Sequence, residues 1–241
     1  MAFEISTYQG LYTNLIYTLE VTMLSNNIHD TDKRWSKKQS KHGIIYYERK
    51  LNKTSYMEYR ANAVLHATFE KVIDLLKDIS GYPEWMHNCI ESKELEGKDD
   101  FRKIIYYAQG TSMEKWSSDV VLSATTLADF QNKKLIITLS SIDNHPYKHP
   151  NLKVRARRFR MPGFKGWWKL SSLSNTSTMV SFTVQANPER PIRKSLINSL
   201  TKNFCFNSLQ GLQHIIETKQ PSKNKTSTSN TLINELPQNY K

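Results

Sequence analysis

The apolar positions between Pro191 and Glu217 recur with the period of an α-helix. Polar side chains such as Ser195, Lys202 and Gln213 share the opposite side of the helical wheel. A helix of about 26 residues is roughly 39 Å long, so the pattern predicts one long amphipathic helix whose apolar face needs a broad partner. The apolar positions are Leu196, Ile197, Leu200, Phe204, Cys205, Leu209, Leu212, Ile215 and Ile216.

Three small residues, Thr201, Ser208 and Gly211, lie on or beside this apolar sector. Small side chains on a buried helix face have two explanations. Either a strand or loop packs closely there, or the gap leaves room for a ligand between the helix and its partner. The sequence leaves both explanations open.

Ahead of this helix the apolar period changes to two, which is typical of strands with one buried face. The links between the later strands are short, which favours antiparallel pairing. One helix follows Thr68, a suitable N-cap residue, and ends at Ser80-Gly81. A second short helix is predicted over Asp32–His42, anchored by Trp35. The predicted strands are Ile44–Lys50, Tyr56–Ala67, Cys89–Glu96, Phe101–Gln109, Asp119–Ala128, Leu135–Ser141, Val154–Phe159, Gly166–Leu173 and Thr178–Gln185.

Two strands, a helix, a run of antiparallel strands and a long C-terminal helix make an α+β domain. A curved sheet wrapped around a single helix encloses a cavity, because neither layer has a second sheet to fill it. We place this domain at residues 32–217. Residues 1–31 form an N-terminal appendage whose order the pattern leaves undetermined. The polar tail 218–241, rich in Ser, Thr, Asn and Lys, is predicted to be disordered.

The formal net charge of +12 favours an anionic partner. No acidic residue lies between Asn144 and Pro188, where Lys and Arg cluster. We interpret the cluster as a membrane-docking surface, because each such side chain near an anionic membrane contributes about 1 kcal/mol. There are two alternatives. The cluster could be an ordinary solvated strand face, or the surface of a module that binds nucleic acid or protein. On the preferred interpretation, we expect no nucleic-acid partner. The predicted docking residues are Lys148, Lys153, Arg155, Arg157, Arg158 and Arg160.

Few residues suggest metal or cofactor chemistry. Cys89 and Cys205 each sit in an apolar pattern and are predicted to be buried free thiols. His145 and His149 have a His-x3-His spacing, but they lie in a proline-rich loop with only Asp143 nearby. The sequence has neither a Gly-rich phosphate loop nor a catalytic-triad signature. We therefore predict neither a cofactor nor a metal site.

The chain is expected to be soluble. No apolar run reaches the roughly 18 residues that a membrane-spanning helix needs. The apolar stretch 11–24 is interrupted by Asn14 and Glu20 and no basic residue precedes it, so it does not make a convincing signal peptide. We expect a monomer, cytoplasmic or periplasmic, that contacts anionic membranes peripherally.

Several segments together form a recognisable pattern. The most specific is YPEWMHNC at residues 82–89, followed by ESKEL at residues 91–95. The others are GIIYYER at residues 43–49 with Trp35 ahead of it, FKGWWKL at residues 164–170, and LINSL at residues 196–200. These segments resemble the START (StAR-related lipid-transfer) domain family, particularly its bacterial members.

The resemblance spans about residues 35–216. It implies the helix-grip fold, a tunnel for one lipid between the sheet and the C-terminal helix, and no catalysis, as in most members. The chain departs from the family at Ser118-Asp119, where members usually carry Arg-Asp, and at Met113-Glu114, where they carry Trp-Pro. The ligand class (a sterol, a phospholipid or another hydrophobic molecule) therefore stays open.

We predict that the protein binds one lipid in its cavity and transfers it between membranes. An enzyme of the same architecture, a cyclase or hydrolase with Asp119, Tyr106 or His87 as acid or base, is the alternative. Asp119 has two interpretations, as the partner of a nearby arginine or as a polar anchor inside the cavity. The predicted lipid-binding residues, chosen by strand phase and helix face, are Ile105, Tyr107, Asp119, Val121, Ile137, Trp168, Leu200, Phe204 and Leu212.

Overall fold

The structure of the protein is a computed structural model that describes residues 35–51, 56–99, 101–110, 117–142, 158–189 and 191–218. Within these ranges, two α-helices and one 3-10 helix pack on a sheet. The helices are α1 (Phe69–Lys77), the 3-10 helix Ile79–Glu84, and α2 (Lys194–Thr218). The strands are β1 (Ser36–Lys41), β2 (Ile44–Lys50), β3 (Met57–Leu65), β4 (Cys89–Asp99), β5 (Arg102–Gln109), β6 (Ser118–Asp129), β7 (Lys134–Ser141), β8 (Phe159–Arg160), β9 (Gly163–Ser174) and β10 (Ser177–Asn187).

The described strands form one ten-stranded sheet in the order β1-β2-β3-β10-β9-β7-β6-β5-β4. Neighbours along this path pair antiparallel. The short strand β8 lies beside β6 and pairs with it in parallel. Because β10 joins β3 to β9, the last of the described strands closes the gap between the first and later parts of the sheet.

Helix α1 and the 3-10 helix lead the chain from β3 to β4. Thr68 caps α1, since its hydroxyl accepts a hydrogen bond from the backbone N–H of Lys71 at 3.2 Å. Asp78 then accepts one from the N–H of Gly81 at 3.2 Å and so starts the 3-10 helix. The buried face of α1 is formed by Phe69, Val72, Ile73 and Leu76.

The main core lies between the sheet and the apolar face of α2, which packs on β2, β3 and β10. Cys205, Leu209 and Leu212 have no exposed surface. Burying one such leucine completely contributes about 1.5–3 kcal/mol. Across from them, the rings of Trp168 and Phe182 stack with centroids 3.8 Å apart. These contacts fix the C-terminal half of α2 on the sheet.

Gly211 marks the closest approach between α2 and the rest of the chain. A Cβ atom at this position would overlap the backbone carbonyl oxygen of Trp85. One turn earlier, the Ser208 hydroxyl accepts a hydrogen bond from the N–H of His87 at 3.3 Å. At Ser208 and Gly211, the small residues therefore allow the segment after the 3-10 helix to pack closely.

The predicted α+β helix-grip fold, with a curved antiparallel sheet and a long C-terminal helix, is confirmed. One local prediction is wrong, because Ser36–Lys41 forms strand β1 where a helix was expected. Backbone pairing with β2 outweighs the local pattern there. Trp35 does not anchor a helix, and the guanidinium carbons of Arg49 and Arg60 lie 4.4 and 4.1 Å from its ring centroid.

Several other predictions concern residues outside the described ranges. These are the appendage 1–31, most of the tail 218–241, the loop 143–151, and the first part of the strand predicted at Val154–Phe159. The boundaries of the domain at residues 32 and 217 stay predictions. Within the described ranges, no helix is long and apolar enough to cross a membrane.

Replacing Gly211 with alanine should lower the free energy of unfolding by about 1–3 kcal/mol, the usual cost of overpacking. Helix propensity alone would act in the opposite direction by about 1 kcal/mol. The clash dominates because it involves a backbone oxygen and not a flexible side chain. Urea denaturation measures the change.

The matched control is Ser199→Ala, at an exposed position of the same helix. Its unfolding free energy should change by less than about 0.5 kcal/mol. A Gly211→Ala variant as stable as the native protein would show that α2 does not rest on the Trp85 backbone.

Candidate ligand cavity

A cavity of about 540 Å³ lies under the N-terminal half of α2. Its walls come from β5, β6, the segment from β8 into β9, the end of β10 and the first turns of α2. Single-ligand pockets in proteins span roughly 300–1,000 Å³. The volume is therefore suitable for one small hydrophobic molecule.

The deep wall of the cavity is apolar and aromatic. Phe204 of α2 meets Tyr107 of β5 and Phe164 of β9 edge to face, with ring centroids 5.9 and 6.1 Å apart. Val120 of β6 and Ile197 of α2, both buried, complete this wall. An apolar ligand would replace water in contact with these side chains, which is the hydrophobic driving force for binding.

The cavity opens beside α2. Leu196 and Leu200 line the cavity, yet 42% and 53% of their surface is exposed. They are four residues apart and so lie on the same face of the helix. Pro191 and Ile192, just before α2, line the same part of the cavity. We call these four residues the mouth.

Six polar residues also line the cavity, and we call them the polar edge. Gln109 Nε2 donates to the Ser118 hydroxyl at 3.0 Å. The Tyr107 hydroxyl donates to the backbone oxygen of His87 at 3.2 Å and so fixes that segment against β5. The residues of the polar edge are His87, Asn88, Gln109, Ser117, Ser118 and Asn203.

His87 is the titratable ring at this edge. Burial lowers the pKa of His87 below its usual value, because desolvation disfavours the imidazolium ion. The Nε2 atom of His87 lies 3.4 Å from the side-chain amide nitrogen of Asn207. The ring is therefore neutral near pH 7, and Nε2 accepts a hydrogen bond from Asn207.

Asp119 also borders the cavity, but its carboxylate is engaged elsewhere. Arg160 Nε donates to one oxygen at 2.6 Å, and Arg160 Nη2 approaches the other at 3.3 Å. The second oxygen also accepts from the Tyr106 hydroxyl at 3.1 Å. Burial, followed by the charge of Asp119, raises the pKa of Tyr106 to about 12. Of the two interpretations of Asp119, the structure shows the arginine partner.

The ion pair extends into a network along the sheet. Arg158 donates to the Tyr106 hydroxyl and to a carboxylate oxygen of Glu91, each at 2.7 Å. Although burial opposes the charged form, hydrogen bonds from Lys93 and Arg158 hold the pKa of Glu91 below its usual value. This network links β4, β5 and β6 to β8 and to Arg158, which precedes β8. Its members are Glu91, Arg158, Tyr106, Asp119 and Arg160.

This network changes the interpretation of the basic cluster. The side chains of Arg158 and Arg160 are only 7% and 15% exposed, and each forms an ion pair. They therefore do not offer two unpaired charges to a membrane, because internal carboxylates already neutralise them. The other predicted docking residues, Lys148, Lys153, Arg155 and Arg157, lie outside the described ranges.

Four of the predicted lipid-binding residues line the cavity: Tyr107, Asp119, Leu200 and Phe204. Val121 faces the opposite side of the sheet, where it packs with Leu95, Tyr106 and Ala108. A strand alternates sides at every residue, so Val120 takes the cavity position.

The remaining predicted positions belong to the main core. Ile105, Trp168 and Leu212 are buried there, and Ile137, which pairs with Trp168, is partly buried against it. Trp168 fills this region by stacking on Phe182 and meeting Trp85 edge to face. The cavity lining reaches along α2 as far as Phe204, and Trp85, Trp168, Phe182 and Leu212 are not part of it.

Of the four mouth residues, only Leu200 was among the predicted lipid-binding residues, and most of the polar edge was not predicted. Leu196 was recognised only as an apolar helix position, and His87 only as a catalytic alternative. A signal was present: Leu196 and Leu200 lie at one border of an apolar sector wider than a packed helix needs.

Both cysteines are buried free thiols, as predicted. Burial raises the pKa of Cys205, so this thiol stays protonated. Among the described residues, no group of three or more His, Cys, Asp or Glu side chains is arranged to hold a metal ion.

Comparisons with known proteins agree with this geometry. A family model described as polyketide cyclase / dehydrase and lipid transport matches residues 65–204. An uncharacterised protein of Pseudomonas aeruginosa is 25% identical over 190 residues, covering 77% of this chain and 88% of its own length.

Solved structures share the fold. A STAR-related lipid transfer protein from Xanthomonas axonopodis (fragment 25–204) superposes with a TM-score of 0.67 at 21% identity, covering 77% of this chain and 100% of that chain. Human StAR-related lipid transfer protein 5 gives a TM-score of 0.67 at 14% identity, covering 87% of this chain and 98% of that one. The resemblance to START domains noted in the sequence is confirmed.

Asp119→Ala should lower the free energy of unfolding by about 3–5 kcal/mol, because it leaves the largely buried Arg160 without its counter-ion. The matched control is Lys93→Gln. Lys93 pairs with Glu91 at the edge of the same network, but its side chain is 51% exposed. Its loss should cost less than about 1 kcal/mol. Equal effects of the two substitutions in urea denaturation would contradict a structural role for the Asp119–Arg160 pair.

Proposed function

The chain belongs to the family of polyketide cyclases, dehydrases and lipid-transport proteins, and we propose that it carries one lipid between membranes as a monomer. The fold supports a hydrophobic ligand-binding role. The observation that carries the proposal is the apolar cavity under α2, which opens to solvent through two leucines. Sequestration needs no chemistry from the protein.

The energetics of this role are favourable. A ligand that buries about 200 Å² of apolar surface gains about 5 kcal/mol at about 25 cal/mol per Å². This gain offsets part of the cost of leaving a bilayer. Because the wall of Tyr107, Phe164 and Phe204 is already in place, little side-chain entropy is lost when the ligand enters.

An enzyme is the second candidate, since the family description includes cyclases and His87 lines the cavity. General acid–base catalysis needs a group within hydrogen-bond reach of the substrate. Asp119 and Tyr106, the other two candidates, are bonded to Arg160 and Arg158 in the network. The one described side-chain hydrogen bond of the His87 ring is to the amide of Asn207, and a neutral amide does not stabilise an imidazolium ion as a carboxylate would. This favours binding without catalysis.

We propose that the mouth docks on the membrane. Leu196 and Leu200 present apolar surface at the opening, and the exposed Arg193 lies just before α2, one helical turn from Leu196. Apolar insertion together with nearby cations is the combination that holds peripheral proteins on anionic bilayers. A lipid would then leave the bilayer directly into the cavity.

Thr201→Phe should abolish lipid uptake. Thr201 is buried and lines the cavity, so a phenyl ring there occupies space that the ligand needs. Uptake is measured by incubating the protein with mixed liposomes, followed by native mass spectrometry and identification of the extracted lipid. The native protein should carry lipid at one molecule per chain.

Ser199→Phe adds the same ring at an exposed position of α2 outside the cavity lining, and it should keep full uptake. Circular dichroism and urea denaturation establish that both variants fold. A folded Thr201→Phe protein that still takes up lipid at full stoichiometry would place the ligand elsewhere and overturn the proposal.

The double variant Leu196→Ser/Leu200→Ser should lower partitioning onto vesicles of phosphatidylcholine and phosphatidylserine by at least about tenfold. Inserting the exposed half of each leucine contributes about 1 kcal/mol. Co-sedimentation measures the effect. The control is Leu173→Ser, a leucine that is 54% exposed near the β9–β10 turn and does not line the cavity. If this control loses binding as strongly as the double variant, the mouth is not the docking site.

A further inference from the structure

We infer, on the basis of the proposed function, that the ligand has one uncharged hydrogen-bonding end, such as a hydroxyl, ester or amide, which lies against the polar edge. Fatty-acid anions and long-chain ammonium ions are therefore not preferred ligands of the cavity.

The first argument is the lack of an available charge. Among the described lining residues, Asp119 is the one carboxylate, and none of them is a lysine or an arginine. Its two oxygens are occupied by Arg160 and Tyr106. A charged end inside the cavity would therefore lose its hydration without gaining a counter-ion, which is costly.

The second argument is the chemistry of the polar edge. Amides, hydroxyls and a neutral imidazole both donate and accept hydrogen bonds. Gln109, Ser117 and Ser118 are only half-buried, and Asn203 is an exposed residue that lines the opening. A neutral polar group can use such donors and acceptors on entry, whereas an apolar end would leave them unsatisfied.

The third argument is the state of His87. Burial lowers the pKa of the His87 ring, because desolvation disfavours the imidazolium ion. With Nε2 accepting from Asn207, the ring proton lies on Nδ1. His87 is thus a neutral ring at the polar edge and does not act as a cation for a carboxylate.

The test compares four ligands with the same dodecyl chain at pH 7.5: 1-dodecanol, dodecanoate, dodecylammonium and 1-bromododecane. Each ligand is tested for displacement of Nile red, a neutral fluorescent probe, from the purified protein. The ligand concentrations stay below the aggregation threshold of that ligand. We expect 1-dodecanol to displace the dye at a concentration at least tenfold lower than either ion. The bromide, which has the chain but no hydrogen-bonding end, should fall between the alcohol and the ions.

Variants then locate the polar end. His87→Phe and Asn203→Leu should each reduce the advantage of 1-dodecanol over 1-bromododecane about three- to tenfold, the range expected for the loss of one hydrogen bond. Binding of the bromide shows that the cavity still forms in each variant, and comparing the two ligands within one variant removes any general change in affinity. Ser199→Leu, exposed on α2 and outside the lining, is the control and should leave every ratio as in the native protein.

The outcomes separate the two proposals. Binding of dodecanoate or dodecylammonium equal to or tighter than that of 1-dodecanol overturns this inference and leaves the proposed function standing. Unchanged ratios in both His87→Phe and Asn203→Leu also overturn it, because the polar edge would then not contact the ligand. Failure of all four ligands and of Nile red to bind contradicts the proposed function itself.

Discussion

The contact of Gly211 with the Trp85 backbone sets the closest approach of α2 to the rest of the described chain, and the cavity lies under the other half of this helix. At this point α2 approaches the segment after the 3-10 helix so closely that even a methyl group would overlap a carbonyl oxygen. From there toward the C-terminus, Leu212, Ile215 and Ile216 are buried in the main core. Toward the N-terminus, Leu196, Leu200, Thr201 and Phe204 line the cavity.

Two of the basic residues in the cluster before Pro188 form internal ion pairs and not an exposed surface. A run of basic residues without an acidic neighbour suggests an exposed binding surface. In the fold, Arg158 and Arg160 meet Glu91 and Asp119, which are distant in the sequence but adjacent across β4, β6 and β8. The acidic partners could not be assigned from the sequence, because they depend on β8 pairing in parallel with β6. Net charge thus indicated an anionic partner but not the surface that would meet it.

The fold itself was predictable because each level of the sequence agreed with the others. Periods of two and 3.6, a capping Thr68 and a family-like segment at residues 82–89 all indicated one arrangement. The cavity wall was predictable only in part. Predicting Val121 instead of Val120 as a wall residue is a one-residue error in strand phase. In the run Val120-Val121-Leu122 the residues on both faces of the strand are apolar, so the sequence does not show which face borders the cavity. The strand at Ser36–Lys41 was missed because its pairing with β2, and not its own composition, determines its structure.

The proposed lipid exchange requires an opening, and the distribution of buried contacts favours one end of α2 as the part that opens. The C-terminal half of the helix belongs to the main core, whereas Ile197 packs in a small separate cluster with Tyr56 and Ala186. The side-chain oxygen of Asn198 accepts a hydrogen bond from the N–H of Met57 at 3.0 Å and adds one more tie. Segments with few buried contacts open locally at a lower free-energy cost than the core does. The first turns of α2, which carry the mouth, are therefore the part that can separate from the sheet while the rest of the helix stays in place.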